Sequence, residues 1–520
     1  MNHPQSFARE FLRRLESRRS AGTRSAKGAA NSELPRFDFR DRDLLVTHSQ
    51  PQSFRLGTGA SIFTNCLIPA ITSARSEVIL VTCFWAPSAT LTALHDALTA
   101  LARHRSALIR DVVSREEHNN IPTLHVRICL SSRSFLQKLL HPQSRHGYVY
   151  PPSSWPTKLG LPGPALLREA NIELQVKSLF FLPFSVMHPK FVIIDRQRAF
   201  VPSCNVSFEP WLEGCVEITG AAVQSLLSFY TQTWDPTTEV RHLLEHEVSE
   251  SRKLPCDGAN LALIASTADR RVALATGSPT PTLILPSSHH RNPHFRPFPW
   301  QTHHAPPTTP LNIALFQLFD QAQRSIFVQT PNLTCEPVLA ALLDALDRGV
   351  DVTIVTNRDM MVIEQLVTAG TTTSWSIRSL VRRFNKLGAA PGRQHSSQGT
   401  ETRDSLRHLE AGHRRIGRLR ISYFRARRHS APTGGGGRGQ LNVDQGQSEE
   451  PVHSHLKLTL VDDEFTVLGS GNLDRASIYT SQELGVMFHD RELATKVKAA
   501  VDSVLEARLD PVFDSEETRV

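Results

Sequence analysis

The stretch HPKFVIID, residues 188–195, decides how the rest of this 520-residue chain is interpreted. Its pattern, His-x-Lys followed by Asp after four further residues, returns as HLKLTLVD at residues 455–462. Each copy is followed by a Ser-x-Asn sequence, at residues 203–205 and 470–472. A single His-x-Lys pair is common on protein surfaces, but two copies with matching followers make a chance match a poor explanation.

The duplication extends well beyond the motif. Residues 74–82 and 322–330 match at a constant offset of 248, and each predicts a buried strand that is entered from a helix. Strand and helix patterns then alternate in the same order in both parts, which predicts an α/β fold made of two copies of one domain. The paired patterns are helices at 91–102 and 338–348, strands at 124–130 and 350–356, and strands at 172–180 and 419–424.

The length exceeds the roughly 250–300 residues that one hydrophobic core usually organises, so several segments are expected. The first copy is predicted at residues 55–235 and the second at 308–510. The remaining predicted segments are a basic N-terminal arm (1–54), a Pro/His-rich linker or insert (236–307), a basic and Gly-rich insert within the second copy (near 388–450) and a tail (511–520).

The motif offers an imidazole and an ammonium group side by side. Side chains alternate faces along a strand, so His and Lys at positions i and i+2 project the same way. Two copies related by a pseudo-twofold axis would surround one pocket with His188, Lys190, His455 and Lys457. Lysines can neutralise the nonbridging oxygens of a phosphodiester, while one imidazole attacks phosphorus and the other protonates the leaving oxygen. No metal or other cofactor is predicted, because the lysines supply the positive charge.

The duplicated His-x-Lys and Asp pattern resembles the phospholipase D superfamily, and the resemblance covers both copies. It implies two pseudo-twofold-related halves, each a mixed sheet flanked by helices, that form one α-β-α-β-α sandwich with the active site between them. It also implies that His188 and His455 share two roles, one forming a phosphohistidine and the other serving as acid and then base. By family habit the nucleophile is assigned to His188.

The resemblance assigns further site residues by their place in the motif. Asp195 and Asp462 complete the catalytic motif as structural carboxylates that pair away from the phosphate. The expected phosphate-binding residues are the two motif lysines and two pairs of followers: Lys190, Lys457, Ser203, Asn205, Ser470 and Asn472.

The family also places an acidic residue some twenty positions after the motif Asp, where it orients a histidine. In the second copy Glu483 fits this position, 21 residues after the aspartate. In the first copy Glu217 fits at 22 residues, with Glu213 as a weaker candidate. The first copy departs from the family at Pro202, where glycine is usual. Proline has no amide N–H, so a backbone hydrogen bond from this position to phosphate would be lost.

The positive charge of the chain is local. The net charge is +8, with an isoelectric point near 9.3, which favours anionic partners. Residues 378–428 contain 14 basic and three acidic residues, or +11, so the rest of the chain sums to 8 − 11 = −3. This stretch predicts either a contact with phospholipid or nucleic acid, or a solvated helix and loop.

The cysteine and histidine patterns favour no metal site. The seven cysteines are odd in number, form no C-x-x-C pair and lie mostly in apolar runs, which predicts reduced, buried thiols. The histidines of the linker are irregularly spaced and interrupted by proline, which favours a solvated loop over a ligand set. They are His289, His290, His294, His303 and His304.

The sequence predicts a cytoplasmic protein that makes peripheral contact with a membrane. No apolar run reaches the roughly 18 residues that a transmembrane helix needs. A mitochondrial location is the alternative, because residues 1–24 carry six arginines beside Phe7, Phe11, Leu12 and Leu15 at helical spacing. Since both motifs lie in one chain, a monomer suffices for a complete site.

The function that these features favour is that of a metal-independent phosphodiesterase of phospholipase D type. It would hydrolyse the phosphatidyl group of a phospholipid or, like the cardiolipin synthases of the superfamily, transfer it to an alcohol. Two alternatives stay open: a nuclease of the same superfamily, and an inactive protein that binds lipid or nucleic acid. Tyrosyl-DNA phosphodiesterases are less similar, because their motifs lack the aspartate that both copies keep.

Overall fold

The computed structural model describes residues 4–17, 34–114, 121–134, 137, 140–141, 144–181, 185–236, 263–275, 277–289, 305–389, 393–395, 414–427 and 448–517. Helices and strands alternate through these residues, with one π-helical turn at Phe63–Leu67 and one 3-10 turn at Phe39–Asp41. The α-helices are Pro4–Ser17, Arg42–Leu45, Gly59–Ile62, Ile68–Thr72, Ala89–Ser114, Ser154–Lys158, Pro164–Glu169, Ala221–Trp234, Pro310–Gln321, Glu336–Asp347, Val362–Ala369, Thr373–Gly388, Arg475–Tyr479 and Arg491–Leu505.

The strands fall into two sets that follow each other along the chain. The first set is β1 Val46–Thr58, β2 Glu77–Phe84, β3 Leu124–Ser132, β4 Tyr148–Val149, β5 Ile172–Ser178, β6 Phe180–Phe181, β7 Ser185–Val186, β8 Phe191–Ile194, β9 Arg198–Pro202 and β10 Trp211–Thr219. The second set is β11 Arg270–Ala273, β12 Thr280–Ser287, β13 Ser325–Gln329, β14 Asp351–Thr356, β15 Arg393–His395, β16 Arg414–Ile416, β17 Leu419–Phe424, β18 His453–Ser454, β19 Leu458–Val461, β20 Phe465–Gly469, β21 Glu483–His489 and β22 Leu509–Asp514.

Both halves are built on the same order of neighbouring strands. The first half runs β5-β3-β2-β8-β9-β10-β1, and the second runs β17-β14-β13-β19-β20-β21-β12. In each half the first three strands are parallel and the later neighbours are antiparallel. This equivalence confirms the duplicated α/β architecture that the sequence repeat predicts.

Strand β1 joins the two sheets. Its residues 46–49 pair with β12, whereas the rest of the strand pairs with β10 and β11. A single sheet of 18 strands therefore runs through both halves. β1 begins before residue 55, which is the predicted start of the first copy. β12 lies inside the predicted linker 236–307, and it is the equivalent of β1 in the second half.

Buried apolar strands form the centre of each half. In β2 all residues between its two ends are buried, and β8 and β19 are buried throughout. Strands that are apolar on both faces need cover on both faces, which an α/β arrangement provides. The helix Pro4–Ser17 packs on the second half, where the ring of Phe7 lies 5.0 Å from that of Phe465.

The structure also resolves several smaller predictions. Residues 361–388 form two helices rather than one, because the chain turns near Gly370, which has a left-handed φ of 67°. Six cysteines are buried and form no disulfide among the described residues, and Cys256 lies outside those residues. Of the five linker histidines only His289 is described, and it is buried rather than solvated. Most of the predicted insert 388–450 also lies outside the described residues.

Candidate active site

Each half holds the other half's motif histidine through the backbone. His188 donates its backbone N–H to the carbonyl of Gln482 at 2.9 Å, and His455 donates to the carbonyl of Leu212 at 2.8 Å. The two His-x-Lys segments were predicted to lie on strands, but β8 and β19 begin only after them. The two segments depart from the strand pairing of their own half, because the backbone N–H groups of their histidines donate to the other half.

Each motif histidine is also bound by a glutamate from the opposite half. Nδ1 of His188 lies 2.8 Å from Oε2 of Glu483, and Nδ1 of His455 lies 2.7 Å from Oε1 of Glu213. A neutral imidazole that donates from Nδ1 to a carboxylate keeps its Nε2 lone pair for chemistry. Neither half therefore contains a complete histidine site alone, and the pair of halves contains two.

The glutamate expected in the first copy is corrected from Glu217 to Glu213. Glu217 lies four residues further along β10, about 13 Å at the usual rise of a strand, and bonds to Ser53 and Arg198. A fixed offset from the motif aspartate fails because the connection between β9 and β10 is shorter than that between β20 and β21. A local match would have found the residue, since Glu213-Gly-Cys-Val parallels Glu483-Leu-Gly-Val.

The two serines contact these glutamates, and their predicted contact with phosphate stays a prediction. The hydroxyl of Ser203 donates to Glu213, and that of Ser470 donates to Glu483 at 2.5 Å. Each hydroxyl oxygen also accepts a backbone N–H, from Gly214 in one half and Leu484 in the other. A hydroxyl has one proton, and here it is used to orient the glutamate.

The two motif lysines are buried beside their histidines. Nζ of Lys190 donates to the carbonyl of His188 at 3.0 Å, and Nζ of Lys457 donates to that of His455 at 2.7 Å. Burial, with a smaller contribution from the charge of Lys190, lowers the pKa of Lys457 to about 7, although the charge of Glu213 raises it. Burial disfavours the charged ammonium form of this lysine. A bound anion stabilises that form, because it places a negative charge beside it.

Burial also controls the protonation of both histidines. It lowers the pKa of His455 to about 3 and that of His188 in the same direction, although the facing glutamates oppose the shift. Burial raises the pKa of Glu213 and Glu483, but the facing histidines and hydrogen bonds outweigh it, so both glutamates have a lowered pKa. Both glutamates therefore remain carboxylates that can accept from Nδ1.

The motif asparagines and aspartates differ in what they contact. Oδ1 of Asn205 accepts the backbone N–H of Phe84 at 3.2 Å. Nδ2 of Asn472 donates to Asp474 at 2.9 Å, while its buried Oδ1 has no partner among the described residues. Both motif aspartates point to the chain before the first parallel strand of their half: Asp195 accepts the backbone N–H groups of residues 75–77, and Asp462 those of residues 323–325.

Pro202 leaves the local backbone pairing intact. It stands opposite Cys215, while its counterpart Gly469 stands opposite Gly485 with a φ of 154°. The next residue, Ser203, still donates its backbone N–H to Gly214 at 2.8 Å. The loss of one amide N–H at Pro202 therefore does not displace the serine that orients Glu213.

Three residues that the sequence did not single out complete the site. The ring of Trp211 lies 4.9 Å from that of His455, and the hydroxyl of Ser477 donates to Glu483 at 2.8 Å. The side chain of Gln482 exchanges two hydrogen bonds of 2.6 Å with the backbone of His289. Among the described residues no cluster of His, Cys, Asp and Glu has the geometry to hold a metal ion.

The sequence model of the family described as cardiolipin synthase, PLD-like domain, matches residues 315–412 and 428–505. These two segments, about a third of the chain, are similar to that family. The matched segments carry the second motif, and the repeated strand order extends the same architecture to the first half. The family is one of phosphodiesterases and phosphatidyltransferases. No curated protein matches the sequence.

The solved structures that are similar to this chain are distant from it in sequence. Phosphatidylserine synthase of Haemophilus influenzae Rd KW20 has 14% identity and a TM-score of 0.46, with 90% of each chain covered. Nuc of Salmonella typhimurium, a phospholipase D family member, has 16% identity and a TM-score of 0.23, with 39% of this chain and 91% of that chain covered. NucT of Helicobacter pylori has 14% identity and a TM-score of 0.21, with 38% and 87% covered.

Proposed function

We propose that the protein is a metal-independent phosphodiesterase that cleaves or transfers the phosphatidyl group of a phospholipid. The observation that carries this proposal is the crossed arrangement in which each motif histidine is oriented by a glutamate from the other half. Two buried lysines beside them supply positive charge for the phosphate in a site with little water.

The proposed reaction has two displacement steps at phosphorus. His455 enters this step as the imidazolium, because the anionic substrate and Glu213 stabilise a proton on its Nε2. Nε2 of His188 attacks phosphorus, the P–O bond to the leaving alcohol breaks, and the departing oxygen takes that proton. Water or an alcohol then attacks the phosphohistidine and gives its proton to His455, while the P–N bond breaks. Lys190 and Lys457 would bind the nonbridging oxygens throughout. We assign the attack to His188 because 17% of its side chain is exposed, against 6% for His455.

The direct test is a lipid assay in EDTA with phosphatidylcholine, phosphatidylglycerol and cardiolipin. We expect release or transfer of the head group, and we expect His188→Ala and His455→Ala each to abolish it. His125→Ala is the matched control, since His125 also contacts a carboxylate, Glu173 at 3.0 Å, but on the surface. Full activity in either motif variant would refute the catalytic assignment.

The covalent intermediate can be detected separately. In His455→Asn the second step lacks its base, so phosphate should accumulate on His188 and appear as an added mass on the peptide that contains it. If His188→Asn carries an adduct on His455 while His455→Asn carries none on His188, then His455 is the nucleophile and His188 is the acid and base.

Single- and double-stranded nucleic acids belong in the same EDTA assay, because cleavage of these alone would favour the nuclease alternative.

We further propose that the helix Val362–Ala369 contacts the membrane that holds the substrate. This helix is inverted: Ile363 is 80% exposed, whereas Gln365 is buried and donates to Asn332 at 2.9 Å. Leu366 and Val367 are also exposed. An amphipathic helix normally buries its apolar face against the core. An apolar face that is exposed to solvent instead is typical of a surface that binds a partner.

Charge and position both favour a lipid surface as the partner. Beside this helix, Trp375, Arg378 and Arg382 line a surface cleft of about 620 Å³. Two acids, Asp359 and Glu364, also lie on this segment. The helix follows Asn357, whose side chain donates to the carbonyl of Ser454, the residue before His455, at 2.8 Å. A bilayer contacted here would lie close to the second motif.

Vesicle flotation tests this contact. We expect Ile363→Ser/Val367→Ser to lose binding to vesicles that contain phosphatidylglycerol while it keeps hydrolysis of a soluble phosphodiester. The matched control is Leu263→Ser/Val149→Ser, which removes two side chains that are 69% and 50% exposed elsewhere. Equal flotation of both double variants would refute the contact. If flotation falls as expected but no lipid is turned over, the docking surface stands and the lipid reaction does not.

A further inference from the structure

Glu217, the residue that the sequence wrongly placed at the active site, belongs to a different cleft. This cleft, of about 480 Å³, lies on the first half and includes Arg55, Arg198 and Arg271, which we call the arginine cleft. Glu217 is the one carboxylate among its lining residues. The cleft is separated from the active site by the length of β10 between Glu213 and Glu217.

The single carboxylate of the cleft is already used. One oxygen of Glu217 accepts from Nε and a terminal nitrogen of Arg198, at 3.2 and 2.8 Å. The other oxygen accepts the hydroxyl of Ser53 at 3.0 Å. Among the described residues, neither Arg55 nor Arg271 has a carboxylate partner. Three guanidinium groups therefore share one carboxylate, which leaves two positive charges in the cleft.

Strand register places the two remaining arginines on the same side of the sheet. Arg55 of β1 stands directly opposite Arg271 of β11 in an antiparallel pair. Like charges in directly opposite positions repel each other, and such pairs destabilise a sheet. In addition, Nε of Arg55 is buried and has no hydrogen-bond partner among the described residues. A buried donor without a partner costs free energy until a ligand satisfies it.

A thiol in the same cleft reports the positive surroundings. Cys66 lines the cleft and has a lowered pKa, chiefly because of a hydrogen bond with Cys215. Burial raises this pKa, while the charges of Arg55 and Arg198 lower it and that of Glu217 raises it. The local field therefore favours a negative charge.

We infer that the arginine cleft is a second binding site, distinct from the catalytic one, for a phosphate monoester dianion. Guanidinium groups bind phosphate through paired N–H···O bonds, and a dianion matches the two unpaired positive charges. The bound phosphate supplies Arg55 Nε with an acceptor and removes the repulsion between β1 and β11. Free phosphate and the head group of phosphatidate share this chemistry.

Titration calorimetry with inorganic phosphate tests the site on the full chain. We expect Arg55→Gln and Arg271→Gln each to weaken one class of binding about tenfold or more, while phosphate still inhibits the phosphodiesterase through the catalytic site. Arg110→Gln/Arg168→Gln, which changes two exposed arginines elsewhere, should bind as the wild type does. Vesicles with phosphatidate form a second arm, and binding to them alone would identify the lipid as the source.

Charge reversal separates a ligand site from a structural role. Arg271→Glu places a carboxylate opposite Arg55, so the ligand-free protein should melt at an equal or higher temperature. It should also lose the stabilisation that phosphate gives the wild type. If the arginine variants bind both phosphate probes as the wild type does, or if Arg271→Glu melts lower without phosphate, the inference is wrong.

Discussion

At the scale of single residues, the site depends on which carboxylate reaches each histidine. Glu213 and Glu217 are equally acidic and lie on the same strand, but only Glu213 contacts His455. The crossed pairing also explains why each glutamate accepts a serine hydroxyl as well. Glu213 has two such partners, His455 and Ser203, and Glu483 has three, so each imidazole meets an acceptor that is already held in place.

Glu213→Gln should lower kcat about 100-fold or more with little change in KM. An amide oxygen holds the Nδ1 proton less strongly and does not stabilise the charged imidazole, so the histidine loses part of its orientation and basicity. Steady-state kinetics on a soluble phosphodiester measure the effect, and far-UV circular dichroism checks the fold. Glu217→Gln is the matched control, and an equal loss in both would mean that the assignment at Glu213 is wrong.

The lowered pKa of Lys457 predicts how phosphate binding depends on pH. With a pKa of about 7, its ammonium is present below pH 7 and is lost as the pH rises through that value. Inhibition by inorganic sulfate, a phosphate analogue whose charge is constant in this range, should therefore weaken above pH 7. Lys457→Arg keeps its charge at all these pH values and should remove the dependence. A wild-type profile that is flat from pH 6 to pH 9 would contradict this assignment.

The lowered pKa of His455 predicts a loss of stability in acid. The folded pKa is about 3, below the ordinary 6.5, so the unfolded chain binds more protons between these values. The free energy of unfolding should therefore fall as the pH decreases from 6.5 towards 3. Chemical denaturation at several pH values measures this slope, and His455→Gln should make it shallower. An unchanged slope in that variant would assign the acid sensitivity to other groups.

At the scale of elements, the motif aspartates connect strands rather than touch substrate. Asp462 accepts backbone N–H groups at the entry to β13, and Asp195 does the same at the entry to β2. Each carboxylate ties the turn after a motif strand to the first parallel strand of its half. The spacing of the motif is thus set by the length of one strand and its turn.

Asp462→Asn should destabilise the protein by about 1–3 kcal/mol, because an amide replaces one acceptor oxygen with a donor that faces backbone N–H groups. Urea unfolding measures this loss. Asp463→Asn is the matched control, since Asp463 is the exposed neighbour in the same turn. Equal stability of the two variants would show that the backbone contacts of Asp462 contribute little.

At the scale of the whole molecule, the two halves are parts of one site. β1 joins both sheets, and each half supplies the backbone acceptor and the glutamate for the other half's histidine. No helix among the described residues is long and apolar enough to cross a membrane. The helix Val362–Ala369 and the arginine cleft lie on the surface of this shared frame.

Mixing two inactive full-length variants tests whether one chain forms the whole site. His188→Ala and His455→Ala each keep one intact histidine, and we expect their mixture to stay inactive. Each chain closes its own site, so the intact histidines are never paired. Recovery of activity on mixing would show that the site forms between chains, and gel filtration of the mixture would then report the assembly.

Much of the fold and the centre of the site could be predicted from the sequence. Two copies of one pattern of helices, strands and motif residues predicted two equivalent halves, because periodicity and order are local properties of the chain. His188, Lys190, His455 and Lys457 were predicted for the same reason. The first glutamate was misplaced, because its partner depends on the lengths of connections and on hydrogen bonds that the motif does not encode.

What the sequence determined by itself was therefore the duplicated architecture and the identity of the paired motif. What only the tertiary structure decided was which groups meet across the two halves: Glu213 with His455, and Glu483 with His188. The physical reason is that contacts between residues hundreds of positions apart depend on how the sheets join. In this chain that junction is β1, whose register against β10, β11 and β12 no local pattern specifies.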